Sequence, residues 1–472
     1  MTQMMIISAV VLLICVTSSK VLYRFGVPSL FVFMALGMVF GSDGLGGIYF
    51  DDFTLAKNLS SIALVFIMFY GGFGTNWSSA KPTAPQALLL SFFGTAVTAG
   101  ITGYICHWML KMPLLEGLLI GSVVASTDAA SVFAILRSRK LNLKGGLAPL
   151  LEVESGSNDP IAFLLTTLVV TAMTLSEGFD PFRLVVGQLA LGAGLGIMIA
   201  VCVRWVLRNV VFEIDSMYPI FMTAIAILGY SLSEWAGGSG FLCVYIIGII
   251  LGNSRILRKK SMVHFFDGIS WLMQILLFFT LGLLSFPSRI PSVLGLGISV
   301  SLILFLVARP LAVGLILTFF RTPLRQQLLV ASAGLRGAAS LVCAIYAVTN
   351  GAVVGSDLFH IVFIVALFSV LIQGTMLPYV ARALDLVEAN DSVLRTFTDY
   401  EGDIHNTVVE KKLSKDDPWT GKTLMDANVP PEMLVMMIRR GREVIIPHGT
   451  DILMPDDTLV MITDTVMGEG RT

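Results

Sequence analysis

Apolar runs of about 20 residues recur along most of the chain, each long enough to cross about 30 Å of hydrocarbon as a helix. Only 13% of the 472 residues are charged while 55% are hydrophobic; ordinary soluble domains carry about 25% charged residues. A soluble core cannot absorb that excess. The bilayer is the solvent, and backbone polar groups must then be satisfied within helices. Reading runs between polar breaks places spans near 3–22, 28–41, 57–73, 84–109, 114–137, 147–174, 181–209, 216–235, 239–256, 262–286, 290–320, 325–349 and 356–383. The expected fold is an all-α polytopic membrane protein of about thirteen helices. The eleventh run is long and contains Arg309-Pro310, so it is expected to be strongly tilted or divided. Met4 to Val16 lacks a basic stretch before it and a small-residue cleavage site after it, so it reads as a retained first span.

Net charge is −1, and no Lys/Arg tract points to nucleic acid as a partner. Charge placement is more informative. Arg137, Arg139, Lys140 and Lys144 follow the fifth run, Arg255, Arg258, Lys259 and Lys260 follow the ninth, and Arg321 and Arg325 bracket the turn after the eleventh. Alternate loops carry Asp43, Asp51, Asp52, Glu177, Asp180 and Asp357. Basic short loops mark the cytoplasmic side, which puts the N-terminus outside and the C-terminus inside. Cys15, Cys106, Cys202, Cys243 and Cys343 sit within apolar runs at unrelated spacings, which suits packing rather than disulfides or a metal site.

Apolar character stops after Ala383. The division is therefore a transmembrane domain over 1–383, a linker over 384–400 and a small cytoplasmic α+β module over 401–472. Within the module, Ile404–Val409, Met433–Ile438, Glu443–Pro447 and Thr458–Thr463 read as strands and Thr423–Ala427 as a short helix. So few residues build little core, and docking or dimerisation is expected.

Chemistry concentrates in two neighbouring runs. The fifth holds Ser126-Thr127-Asp128, and the sixth holds Glu152-Val153-Glu154-Ser155-Gly156-Ser157-Asn158-Asp159-Pro160. A charge at the bilayer centre costs about 2.5–3.5 kcal/mol on insertion scales, and such residues face a bundle interior or water and mark ion pathways. Ser155 and Asp159 are four apart and share a helix face, whereas Glu154 points elsewhere. Thr127, Asp128, Ser155 and Asp159 together offer an all-oxygen pocket suited to a hard cation, K+ or Na+. Burial and a second carboxylate favour the protonated acid, while a bound cation favours the ionised one, so proton and cation compete. Arg336, among Gly334, Gly337 and Ser340, is the expected ion-pair partner of Glu154, holding the sixth and twelfth spans in register. Gln274 and Arg309 are candidate pathway residues, and each equally suits a helix bend. Asp267 reads as an interfacial partner of the basic loop. His107, His264 and His360 read as solvated residues near span ends. No phosphate loop and no Ser/His/Asp or Cys/His constellation occurs, so no enzyme chemistry and no cofactor is expected beyond the transported ions.

With these motifs the sequence resembles the monovalent cation:proton antiporters of the NhaP and sodium/proton-exchanger branch, most of all the bacterial potassium/proton antiporters within it. The match runs through Glu116–Gly121, Ser126–Ala130, Leu151–Pro160, Phe266-Asp267-Gly268, Ala308-Arg309-Pro310-Leu311 and Gly334–Ala338 in the family's order. The resemblance implies a homodimer in the bacterial inner membrane, built from inverted repeats with a dimerisation domain and a mobile core. In that core two discontinuous helices cross, here the fifth and twelfth spans. It further implies Asp159 as the principal ion and proton carrier, Asp128, Thr127 and Ser155 as co-ligands, Asn158 holding the core, and Arg336 paired with Glu154. The Asn158-Asp159 pair, rather than two aspartates, implies electroneutral one-for-one exchange. Where relatives carry an acid in the third span, this sequence has Phe69-Tyr70-Gly71-Gly72.

Ile404 through Thr463 resembles the TrkA-C module that accompanies potassium transport. Gly421-Lys422-Thr423-Leu424, Ile438-Arg439-Arg440-Gly441 and Pro455-Asp456-Asp457-Thr458-Leu459 carry the likeness. It implies a small anionic regulator such as a nucleotide, with Arg439, Arg440, Arg442 and His448 as candidate contacts, and a module that is short or cut off at its end. The leading expectation is alternating-access exchange of K+ for H+. The alternatives are Na+/H+ exchange on the same fold and a ligand-regulated potassium channel, although no Thr-Val-Gly-Tyr-Gly filter occurs.

Overall fold

A computed structural model describes residues 6, 9–17, 29–139, 141–175, 180–210, 212–254, 256, 258–352, 354–388, 406–414, 417–430, 433–440 and 443–464. Half of the first expected span, Lys140, Glu177, Arg255, linker residues 389–400 and Arg442 lie outside the described residues, as do the side chains of Arg137 and Lys260. Contacts divide the chain into two units, Met1–Thr398 and Asp399–Thr472.

The first unit is helical. Residues 9–17 form helix, followed by Ser29–Phe40 (α1), Phe53–Gly74 (α2), Ala84–Leu110 (α3), Leu114–Val123 (α4), Ala129–Ser138 (α5) and Leu147–Thr174 (α6). Then come Pro181–Asn209 (α7), Met217–Trp235 (α8), Gly240–Gly252 (α9), Lys259–Leu283 (α10), Pro287–Phe319 (α11), Leu324–Ser332 (α12), Ala338–Thr349 (α13) and Leu358–Ala383 (α14). Among the described residues, six helices are long and apolar enough to cross a membrane by length and composition: α2, α3, α7, most of α10, α11 and α14. At 28 residues α6 is as long, but it carries Glu152, Glu154 and Asp159. Large apolar side chains such as Trp205, Leu315 and Phe319 point outward, as lipid contact requires. Inside, the Phe69, Phe73 and Phe266 rings pack together where α2 meets α10.

The fifth and twelfth runs are each broken near their middle. Helix stops after Val123 and resumes at Ala129; it stops after Ser332 and resumes at Ala338. Short hydrogen-bonding side chains compete with the helical ladder in Ser126-Thr127-Asp128, and Gly334 and Gly337 lower helix propensity in the second break. The eleventh run, by contrast, is not divided. A π-helical turn, Leu304–Ala308, precedes Pro310. Proline removes the bond to the carbonyl four residues back and crowds it, and the wider turn accommodates this without breaking the helix. Similar turns occur at Leu90–Gly94 in α3 and Ser369–Gln373 in α14.

The second unit is a four-stranded antiparallel sheet in the order β1-β4-β2-β3. Its strands are Asn406–Lys412 (β1), Met433–Arg440 (β2), Glu443–Ile445 (β3) and Thr458–Asp464 (β4). The short helix expected over Thr423–Ala427 is instead a turn. There Leu424 and Met425 donate their N–H groups to the carbonyls of Asp451 and Gly449, which lie across the chain rather than within a helix. Leu413, Ala427, Val435, Ile438, Leu453, Leu459 and Met461 form the core.

Candidate ion-binding site at the helix crossing

The two breaks meet. The Asp128 N–H donates to the Leu335 carbonyl across 2.8 Å, joining one interrupted helix to the other through groups that a continuous helix would have paired internally. Each break leaves a C-terminal end rich in free carbonyls and an N-terminal end rich in free N–H groups, with partial negative and positive charge respectively. In the fifth break side chains compensate both. Arg336 Nη1 donates to the carbonyls of Ala125 at 2.5 Å and Ser126 at 2.6 Å, just past the end of α4. Asp128 caps α5: Oδ1 accepts from the Ser131 N–H at 3.2 Å and Oδ2 from its hydroxyl at 2.7 Å. Gly337 must be glycine for this approach, because a Cβ there would lie 2.2 Å from Asp128 Oδ2.

Helix α6 passes alongside and ties the first break down. The Ser155 hydroxyl donates to the Thr127 carbonyl at 2.7 Å and accepts from the Ala129 N–H at 2.8 Å. Asn158 holds Thr127 from both sides, donating from Nδ2 to Oγ1 at 2.5 Å and accepting the backbone N–H at 3.3 Å. Asp159, one turn from Ser155, accepts a short hydrogen bond from the Ser126 hydroxyl. The structure thus brings Thr127, Asp128, Ser155 and Asp159 together. They line one cavity of about 240 Å³ with Ser126, Glu152, Tyr245, Ser270 and Gln274. Gln274 donates to Ser270 at 3.2 Å on its own helix.

Glu154 is not paired with Arg336. Its partner is Arg309, with Nη2 2.6 Å from Oε1 and both side chains nearly inaccessible to solvent. Arg336 is committed to the backbone at the end of α4, and Arg309 emerges beside the π-turn of α11, where Gly334 leaves room for its guanidinium. Arg309 is therefore the ion-pair partner rather than a cavity-lining residue. Asp267 accepts the hydroxyl of Tyr70, from the Phe69-Tyr70-Gly71-Gly72 stretch of α2, at 3.0 Å. His360 is buried rather than solvated. Its Nε2 accepts the Phe286 N–H at 2.9 Å, so the proton sits on Nδ1, which donates to Asp357 at 2.7 Å.

In the sheet unit, Arg440 makes two bonds of 2.8 Å to Asp457 and one of 2.9 Å to the Ile452 carbonyl. These bonds hold the Asp457 carboxyl below the usual carboxylate range. Arg440 is thus held by groups of the sheet unit itself. Arg439 and His448 are exposed.

Residues 8–383 match the family described as "Sodium/hydrogen exchanger, transmembrane", and residues 408–465 match the TrkA-C domain. The chain belongs to the sodium/hydrogen exchanger family. The exchanger is 32% identical over 462 residues to the K(+)/H(+) antiporter NhaP of Alkalimonas amylolytica, covering 97% of this chain and 80% of that one. It is 33% identical over 464 residues to the K(+)/H(+) antiporter NhaP2 of Shewanella sp. strain MR-4, with the same coverage. Its fold matches the sodium proton antiporter MjNhaP1 of Methanocaldococcus jannaschii with a TM-score of 0.72 at 23% identity, over 81% of this chain and 99% of that one. The exchanger is a multi-pass membrane transporter that swaps cations for protons.

Sequence reasoning passed over Ser131, Tyr245 and the role of Ser126. Ser131 was findable, because an acid three residues before a hydroxyl at a helix start is a capping spacing. Tyr245 had no sequence signal, since only the close approach of α9 to Gly156 brings it to the cavity.

Proposed function

We propose that the chain exchanges potassium for protons by alternating access, with Asp159 carrying either ion. The observation that supports this most is the contrast between the two cavity aspartates. Asp128 has both oxygens engaged by Ser131, whereas Asp159 faces the same cavity with one short bond, from Ser126. Asp159 is the group best able to exchange a proton for a metal ion; Asp128, Thr127 and Ser155 complete the oxygen shell. One carboxylate bound to one cation or one proton makes the exchange electroneutral. Potassium is favoured by the relatives named for it at 32% and 33% identity. Sodium is the second reading, from the family's description, and oxygen ligands serve both ions.

The chain works as a homodimer in the bacterial cytoplasmic membrane, N-terminus outside, with residues 401–472 as a cytoplasmic regulatory module. An anionic regulator, a nucleotide, would meet Arg439 and His448, with Arg442 beside them in sequence. Proteoliposomes holding a pH dye and pulsed with potassium, sodium, lithium or rubidium test the transport reading. Proton movement should follow potassium most strongly and ignore membrane potential. Proton movement independent of the cation would overturn it.

A further inference from the structure

The cavity that holds Asp159 is also lined by two oxygen-bearing side chains, Glu152 and Tyr245, that the exchange described above leaves unused. Glu152, Ser155, Gly156 and Asp159 all line it, a spacing that sets them on one face of α6. Seven residues of helix separate Glu152 from Asp159, about 10 Å along the axis. Between them lies Gly156, and its missing side chain admits Tyr245 from α9: a Cβ there would sit 2.6 Å from the phenolic oxygen. Tyr245 is 2% exposed. Tyr245 lines the cavity, and its buried hydroxyl makes no hydrogen bond of good geometry, with the Ser157 and Thr75 hydroxyls beside it. A buried hydroxyl in that condition is costly unless a ligand or water completes it.

We propose that Glu152 and Tyr245 form a loading station for the monovalent cation, a second oxygen site through which the ion passes on its way to Asp159. Glu152, partly accessible and lining the cavity, attracts the hydrated ion. The Tyr245 oxygen then replaces one of its waters about one turn before the carrier. Asp267 does not take this part, because it is not among the residues that line this cavity. The station rests on the reading of Asp159 as carrier, and its test is separable from that reading.

Intact protein in proteoliposomes, driven with potassium chloride, provides the readout. Glu152→Gln should raise the KM for potassium about 2- to 15-fold at low ionic strength, the range that a unit charge at about 10 Å spans between watery and protein-like screening. Turnover at saturating potassium should stay within about twofold, because the lost interaction serves entry rather than the crossing itself. In choline chloride near 1 M, where screening acts over about 3 Å, the KM difference should largely vanish. Glu152→Asp should recover most of the affinity. Tyr245→Phe should also raise KM, but without salt dependence, since it removes a dipole and not a charge. Unchanged KM in both variants would overturn the station, as would reduced turnover at unchanged KM, the signature of a purely structural role. Asp159→Asn is run alongside. If it abolishes exchange while Glu152→Gln leaves KM intact, the station alone fails; if it still exchanges, the carrier reading fails and the Glu152→Gln shift still decides the station.

Discussion

The two helix breaks solve one problem with opposite chemistry. In the fifth run the break carries an acid, and Asp128 closes the N-terminal end of α5. In the twelfth it carries a base, and Arg336 reaches across to the open carbonyls that follow α4. The N-terminal end of α13 has no side-chain cap at all, since Gly337 stands there. The difference teaches that the crossing is asymmetric in use. Both ends of the fifth break are closed by side chains and it presents Ser126 to Asp159, whereas the twelfth supplies the compensating charge and, at Gly337, the space.

The sharpest test of that asymmetry is on the carboxylates. Asp159→Asn should reduce exchange to the background of empty liposomes, because Asp128 is engaged by Ser131 and Glu152 lies two helical turns away along α6. Next is the ion pair. Glu154→Gln leaves the buried Arg309 without its counter-charge and should cost about 3–5 kcal/mol in thermal or denaturant unfolding. Adding Arg309→Met should recover part of that loss, and adding Arg336→Met should deepen it. The reverse ranking would restore the Glu154–Arg336 pairing.

The glycines of the twelfth break separate next. Gly337→Ala forces a Cβ against Asp128 and should cost about 1–3 kcal/mol. Gly334→Ala meets only the end of the flexible Arg309 side chain and should cost clearly less. Within the fifth break, Asp128→Ala should lose about 1 kcal/mol of cap stability, which Asp128→Asn should largely keep. The sheet unit offers a soluble counterpart, Arg440–Asp457. A carboxyl held below its unfolded value near 3.9 stabilises above that pH and loses the contribution as pH falls through the lower folded value. Hydrogen-exchange protection of Met433–Arg440 and Thr458–Asp464, corrected for intrinsic rates, should stay level from about pH 8 to 5 and drop only below about pH 4.

Much of this was legible in the sequence because membranes force long apolar runs and make buried acids conspicuous. Thr127, Asp128, Ser155 and Asp159 meet as expected, since spacing on α6 and adjacency in the chain fix most of their relation. What failed was partner choice. Glu154 lies where two arginines are in reach, and which one it takes depends on the carbonyls exposed at the end of α4, a consequence of the break and not of any local pattern. The eleventh helix stays whole because a π-turn accommodates Pro310, and such a turn leaves no mark in hydropathy. His360 looked solvated from its place near a span end, yet its ring is enclosed between the Phe286 backbone and Asp357. In the tail, alternating apolar residues gave the strands well, while Thr423–Ala427 lost its helix to hydrogen bonds with a segment some 25 residues further along the chain.

That one carboxylate serves both ions is tested most directly by the apparent potassium affinity as a function of pH in proteoliposomes clamped at zero membrane potential. On the acid side, KM for potassium should climb about tenfold for each unit of falling pH while the maximal rate at saturating potassium holds steady, as competition for a single site requires. A KM indifferent to proton concentration, with only the maximal rate changing, would mean that the two ions bind at separate places.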